Sequence, residues 1–500
     1  MLLLFALPGA IGAQDGGVGS MSLSLPADHW APAALERLDG IAEVGPWGSW
    51  GFRTPSRSQV LAAFEVVEAR ADSESVRDLA RAYGERFREE FSSVTSDSSE
   101  STARWVGGHV DARAGRRSGA LRTGSGYLDH PTFRDPEPAG EPVHVFGEVG
   151  GALEVGRVAF AGRIGTDANT TPRVTELYGA ASLRSLELWV GRRAPAFGAG
   201  MSGTIVLDGL VPLDGGGAGL AAPVRLPWIL EHLGPIRFET HLARLAASGE
   251  IGSPWFWAAR GSLAPHPRVG LGLNRAAIFG GDGSPPVNLR NVGLMILGTR
   301  PDEDFSDELS RTFFSNQVLS VDLRLRANVA AAPISLYLEW GMEDGSGAWK
   351  NVPGIVGGVH VPFLPRLPEL SLGVERTHFA RSCCGNPAWY RHAHFSGGWA
   401  DDGVPLGHSL GGHGGEWLLH GRADLGSAAL RSSWRLFHRE RGAENLYAPD
   451  REGTSLGVAL QLEGRLRPGL DLVVDGSYER GGGADRWEDT RAFLGIRTYF

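Results

Sequence analysis

Between Leu319 and Val329 the chain alternates strictly, with Leu319, Val321, Leu323, Leu325, Ala327 and Val329 separated by Ser320, Asp322, Arg324, Arg326 and Asn328. Successive side chains of a strand point to opposite faces, so this segment has one apolar and one charged side. The run has the roughly 9 to 11 residues that a tilted strand needs to cross a bilayer. The same pattern closes the chain, where Ala492, Leu494, Ile496, Thr498 and Phe500 share a face and the last residue is aromatic. It recurs at Leu186, Leu188 and Val190, at Leu336, Leu338, Trp340 and Met342, and at Trp417, Leu419, Gly421 and Ala423. Two further runs are Leu456, Val458, Leu460 and Leu462, and Leu470, Leu472, Val474 and Tyr478. Short connections such as Ala331 to Pro333 suit hairpin turns, whereas Gly280 to Gln317 and Ser382 to Gly414 are long, polar or glycine-rich and suit outward loops. Residues 105–500 therefore predict a mainly β fold, a large antiparallel transmembrane β-barrel of about 18 strands. The stretch from Gly200 to Leu226 reads either as barrel wall or as an inserted loop.

Residues 28–91 follow a different period and predict an α-helical domain on the periplasmic side. Asp28 can cap a helix carrying Trp30, Ala34, Leu35 and Leu38, ended by Gly40, and Ser56 with Gln59 forms a capping-box pattern ahead of Val60, Leu61, Phe64 and Val67. Val76, Leu79, Ala80, Tyr83 and Phe87 recur at helical spacing, so three helices can share one small core. Residues 92–104 are a Ser-rich linker. Residues 1–13, with the apolar run Leu2 to Leu7 and small residues up to Ala13, read as a secretory signal peptide that lacks a basic start.

Composition narrows the function classes. The 72 Gly, 15 Trp and 21 Phe, with only 42% hydrophobic residues, fit many turns, aromatic girdles and a polar lumen. No stretch approaches the roughly 18 apolar residues of a spanning helix, so the chain enters a membrane only as a barrel. A net charge of −9 argues against a nucleic-acid partner. Lys350 is the only lysine, which reflects either biased composition or a use of arginine in bidentate pairing. Cys383 and Cys384 are adjacent and have no metal-ligand spacing around them; they are either a vicinal disulfide or incidental thiols.

The residues with the most chemistry lie between Trp389 and Trp417: Trp389, Tyr390, Trp399 and Trp417 with His392, His394, His408, His413, Asp401 and Asp402. Aromatic faces stack on the C–H patches of sugars while carboxylates and imidazoles bond their hydroxyls, so this is a composition suited to polysaccharide. Two other readings stand beside it: aromatics of an interfacial belt with histidines packing a loop, and a metal site, which no HExxH or CxxC pair supports. Enzymatic readings are weaker. Adjacent Asp401 and Asp402 do not define a glycosidase pair, and Ser202 in Gly200 to Thr204 lacks the strand–turn–helix context of a nucleophile elbow. Neither a catalytic residue nor a cofactor is expected.

Two stretches, LWVGRRAPAFGAGMSGTIVLDG (Leu188 to Gly209) and WYRHAHFSGGWADDGVPLGHSLGG (Trp389 to Gly412), placed after a helical N-terminal piece and within a large barrel, resemble the Wzi family of outer-membrane capsule-assembly proteins. The resemblance runs from about Asp28 to Phe500. It implies a barrel closed on the periplasmic side by helices, located in the cell outer membrane, that acts as a lectin-like holder of capsular or surface polysaccharide. On that reading Trp389, Tyr390, His392, His394, Trp399, Asp401, Asp402 and His408 are the candidate polysaccharide contacts. The terminal Phe500 resembles the mark read by the barrel-assembly machinery, and the expected partners are polysaccharide, outer-membrane lipid and that machinery. Two alternatives remain, a general or substrate-specific porin and a wall-anchored barrel. The second rests on DHWAPAALERLDGI followed by TPSRSQVLAAF, which resembles a single S-layer homology motif.

Overall fold

The computed structural model describes residues 23–25, 29–41, 51, 55–91, 103–118, 144–167, 172–183, 185–209, 211–246, 251–284, 286–297, 315–329, 332–343, 354–380, 382–383, 386–387, 389–392, 394–426, 428–448, 451–483 and 486–500. The expected signal peptide, Asp28 and most of the Ser-rich linker lie outside them, as do the side chains of Cys383 and Cys384.

The wall of the barrel is formed by β1 (Ala103–Ser118), β2 (His144–Val155), β3 (Val158–Asp167), β4 (Arg173–Leu183), β5 (Leu186–Arg193), β6 (Leu213–Leu220), β7 (Pro235–Arg244), β8 (Trp255–His266) and β9 (Val269–Phe279). It continues with β10 (Ser315–Val329), β11 (Ala332–Glu343), β12 (Gly354–Val361), β13 (Leu370–Phe379), β14 (Gly414–Leu425), β15 (Leu430–Arg441), β16 (Gly453–Arg467), β17 (Leu470–Gly482) and β18 (Arg486–Tyr499). The sheet has 19 hydrogen-bonded segments, but Val224–Arg225 only continues β6 along the same edge of β7, which leaves 18 staves. All neighbours are antiparallel. Strand β18 pairs back onto β1, with Val110 opposite Thr498 and Ala114 opposite Leu494, so no edge is left unpaired.

The alternation read in β10 falls as expected. Val321 and Leu325 point outward and are exposed, while Ser320, Asp322 and Arg324 point inward and are buried. In β18 Leu494 and Ile496 are exposed outside, and Asp489, Arg491 and Arg497 are buried inside. Charges enclosed in a narrow lumen must be paired. Arg113 bonds Asp111 at 2.7 Å and Asp475 at 3.0 Å, Arg497 reaches Asp111 at 2.8 Å, and Arg260 reaches Asp322 at 2.6 Å. Arg439 joins Glu416 to Glu479.

Helices α1 (Trp30–Asp39), α2 (Arg57–Arg70) and α3 (Glu74–Glu90) form the expected bundle around Leu35, Phe64, Val67, Leu79, Tyr83 and Phe87. The capping box at Ser56 and Gln59 is present. At the start of α1 the Nδ1 of His29 accepts the Ala31 amide at 3.1 Å, and the cap expected at Asp28 lies outside the described residues. The bundle closes the end of the barrel where the short turns lie. Phe363 and Ala428, from two of those turns, complete its core. Arg37 donates to Asp424 at 2.7 Å and to the Pro362 carbonyl at 2.8 Å, Tyr83 donates to Asp424 at 2.5 Å, Arg86 pairs with Asp471, and Asp39 accepts from Arg324 and Arg326. Buried Trp30 and Arg86 both donate to Glu90.

The long connection from Gly280 to Gln317 is not only polar loop. It contains α4 (Leu289–Leu297), which packs through Met295 and Val292 against Ala277, Phe279, Trp255 and Trp257. No helix among the described residues is long and apolar enough to cross a membrane.

Candidate functional site

The segment between β5 and β6 and the segment between β13 and β14 do not stay outside. Both fold into the mouth of the barrel at the loop end, where Phe197, Ile205, Val206, Trp389, Tyr390 and Trp399 meet inward wall residues Phe256, Ile278, Val318, Val356 and Phe379 in one apolar core. Thus the ambiguous region from Gly200 to Leu226 is both things: residues up to Pro212 are insert, and Leu213–Leu220 is wall.

A loop buried in a barrel loses water for its amides, and each stranded N–H costs roughly 1–3 kcal/mol. Three inward carboxylates of the wall take the place of water. Glu339 accepts from the amides of Ala199 and Ile205, each at 3.3 Å, and from Ser320 at 2.7 Å. Glu375 accepts the Met201 amide at 2.5 Å, the Ser202 amide at 2.8 Å, the Tyr337 hydroxyl at 2.7 Å and the Ser202 hydroxyl. Glu343 accepts the Tyr390 amide at 2.9 Å. The two segments also clamp each other: Tyr390 donates to the Ile205 carbonyl at 2.7 Å, Trp399 to the Val206 carbonyl at 2.9 Å, and the Asp208 amide to the Leu406 carbonyl at 2.8 Å.

Tyr390 has φ +70°, a conformation that costs a non-glycine residue roughly 1–3 kcal/mol and persists only where its surroundings fix it. Here its amide, hydroxyl and ring are all engaged. Burial, with Tyr447 beside it, pushes its phenol well above the ordinary value, so it remains a donor. Gly412 closes the second segment at φ +70°, and a Cβ there would stand 2.4 Å from the Trp389 carbonyl oxygen. Only glycine fits.

The expected polysaccharide residues separate into two layers. Trp389, Tyr390, Trp399 and His408 are fully buried. The three aromatic rings for which stacking on sugar is expected pack here against Phe379, Phe256 and each other. His408 accepts the Leu410 amide at Nδ1, which puts its proton on Nε2, 2.9 Å from the Ser202 hydroxyl. Ser202 in turn donates to Glu375. Together these bonds clamp the first segment to the second and to the wall.

The second layer is the outer rim. His392 and His394 are half-buried, Asp401 is half-buried and accepts the Ala246 amide at 2.7 Å, and Asp402 is exposed. His394 reaches Ser284 at 3.1 Å. Burial pushes the Asp401 carboxyl above its ordinary value. Trp417 belongs to neither layer; it points outward from β14 and is exposed. No group of His, Cys, Asp and Glu that could hold a metal occurs among the described residues. Sequence reading missed Glu339, Glu343 and Glu375. Their inward register was visible in the alternation, but which loop amides they would receive was not.

Phe500 is exposed at the turn end, stacked on Trp105 with ring centroids 6.3 Å apart and bonded to Gly108 through its backbone.

The solved structure of Wzi from Escherichia coli, described as an outer-membrane protein involved in group 1 capsule assembly and a carbohydrate-binding β-barrel, matches with TM-score 0.70 at 17% identity, covering 93% of this chain and 98% of that one. OccK11 (OpdR) of Pseudomonas aeruginosa matches at 0.48 and 11% identity over 80% of this chain and 96% of its own, and a BenF-like porin from Pseudomonas fluorescens at 0.47 and 12% over 80% and 99%. No curated protein matches the sequence. The family model for capsule assembly protein Wzi matches residues 67–487, a span that holds both inward segments, and the chain belongs to that family of outer-membrane β-barrels.

Proposed function

We propose that this protein is a non-conducting, non-catalytic barrel that holds capsular or surface polysaccharide at the cell surface through the rim of its loop end. The observation that carries the reading is the family match over residues 67–487, within which the two stretches that form the inward wedge lie. With Trp389, Tyr390 and Trp399 committed to packing, the polymer contacts fall to His392, His394, Asp401 and Asp402, which the wedge holds at its outer surface. Each contact is weak, so retention depends on many barrels engaging one repeating chain. A lumen occupied by a helical bundle at one end and by a packed wedge at the other supports holding over conduction. The turn end then faces the periplasm, the outward apolar band meets membrane lipid, and Phe500 serves the barrel-assembly machinery.

The test is capsule staining and released polymer in cells with the gene, without it, and with His392, His394 and Asp402 replaced together by Ala. Loss of cell-attached polymer in the deletion and in the triple variant, with heat-modifiable barrel retained in the variant, is expected. Normal capsule on deletion cells would overturn the function; normal capsule on the triple variant alone would overturn only the rim as its site.

A further inference from the structure

Helix α4 is apolar on more than one side, and among the described residues only one side is covered. Asn291 and Met295 face the barrel and are buried, whereas Leu289 and Leu297 are 94% and 77% exposed. At about 100° per residue, Leu289, Gly293, Ile296 and Leu297 share the face turned away from the wall.

The surface under the helix is the outside of the barrel. In β8 and β9, Phe256, Ala258, Ala276 and Ile278 belong to the core inside the mouth, so the alternate residues Trp255, Trp257, Ala277 and Phe279 point outward. Lower on β9 the same outward row is bare, with Leu271 and Leu273 exposed, while Ala277 and Phe279 are buried because α4 lies on them. The helix is tied down where the row turns polar: outward Arg275 donates to the Met295 carbonyl at 2.7 Å and to Gln317 at 2.5 Å. Arg244, one strand further, lies 4.4 Å over the Trp255 ring. The helix therefore sits at the boundary between the bare apolar band and the loop end, where tryptophan and arginine side chains suit the headgroup region.

We propose that α4 is an interfacial helix seated in the outer leaflet of the outer membrane, its uncovered face of Leu289, Ile296 and Leu297 in contact with lipid acyl chains. Continuity with the bare outward band favours lipid as the occupant. A helix apolar on both faces is stable only between two apolar partners, and the barrel supplies one of them. The inference rests on the outer-membrane reading, and its test separates the two.

An environment-sensitive fluorophore is attached at Leu297→Cys, and independently at Leu289→Cys, in a full chain carrying Cys383→Ser and Cys384→Ser. The labelled barrels are reconstituted into phosphatidylcholine vesicles containing spin-labelled lipid. Leu494→Cys, on the outward face of β18, is the lipid control and Asp402→Cys the aqueous one. Labels on α4 are expected to lose most of their fluorescence to the spin-labelled lipid, as at Leu494, and to resist aqueous iodide. Quenching by iodide in the manner of Asp402, with Leu494 quenched by lipid, overturns the proposal and leaves the barrel reading intact. Protection from both quenchers with cross-linking between two Leu297→Cys chains overturns it in favour of a second copy. Failure of the Leu494 control means the membrane reading itself has failed. Heat-modifiable migration confirms folding of each variant, and the two label positions guard against a local defect at one.

Discussion

The bundle at the turn end brings a core of its own, whereas the wedge at the loop end borrows one. Trp30, Phe64, Tyr83 and Phe87 pack on each other before they meet the barrel, and the bundle is fastened mainly by charged side chains, Arg37 to Asp424, Arg86 to Asp471 and Asp39 to Arg324 and Arg326. The wedge has little internal secondary structure beyond two-residue ladders such as Ala196–Phe197 with Leu207–Asp208. Its apolar side chains find partners in the wall, in each other and in neighbouring connections through Tyr447 and Leu446, and its amides are held by wall carboxylates. A helix satisfies its own backbone and needs only side-chain pairing to dock; an irregular segment must have its backbone satisfied by its host. Disruption of the first closure is therefore expected to release an ordered module, and disruption of the second to melt a loop.

The largest effect that would break this contrast is expected from Glu375→Ala. Four donors lose their acceptor, at roughly 1–3 kcal/mol each. Residues 194–212 should become open to limited proteolysis while hydrogen exchange in Trp30–Glu90 stays slow. Release of the bundle by this change would show that the two closures are not independent.

Asp39→Ala is the mirror experiment. It leaves two buried guanidinium groups, Arg324 and Arg326, without their carboxylate, a change worth about 3–5 kcal/mol. Faster exchange across α1 to α3 with an unchanged wedge is expected, and a protease-sensitive wedge would contradict the comparison.

Acid should act on the bundle. Burial alone would raise the Glu90 carboxyl, but the His29 hydrogen bond and the Arg86 and Arg431 guanidinium groups outweigh it and hold the carboxyl at about 2. Burial lowers His29 although Glu90 opposes the shift, and the imidazole lies against the carboxylate together with the two arginines. An unfolded glutamate titrates near 4.5. The stabilisation, on the order of 3 kcal/mol, is whole above that pH and is lost as pH falls toward 2. Bundle exchange rates should rise over this window in the parent and less in Glu90→Gln, which already lacks the charge. Equal acid sensitivity in both would remove Glu90 as the cause.

The smallest effect on stability, about 1 kcal/mol, is expected for His392, His394 and Asp402 changed together to Ala, because what is lost is the part-buried acceptor at His392 for the His394 and Phe395 amides. Polymer retention, not melting, is the quantity that should change. A marked loss of barrel stability would mean that the rim is part of the wedge.

Alternation at Leu319 to Val329 and at the chain terminus determined the strand type, the inward and outward faces and the existence of a barrel, because a strand's two faces follow from its period alone. Helical spacing at residues 30–38, 57–67 and 76–87 likewise determined three helices with one core. Only the tertiary structure decided where Trp389, Tyr390 and Trp399 went. Their aromatic, His and Asp surroundings are open to a sugar site and to a belt or packed loop, and their bonding partners lie far away in sequence: Glu343 for the Tyr390 amide and the Ile205 and Val206 carbonyls for the Tyr390 and Trp399 side chains. The helix Leu289–Leu297 was hidden for the same reason. Its apolar residues give no single face to read, since one side belongs to the outside of β8 and β9, and that contact exists only once the barrel has closed.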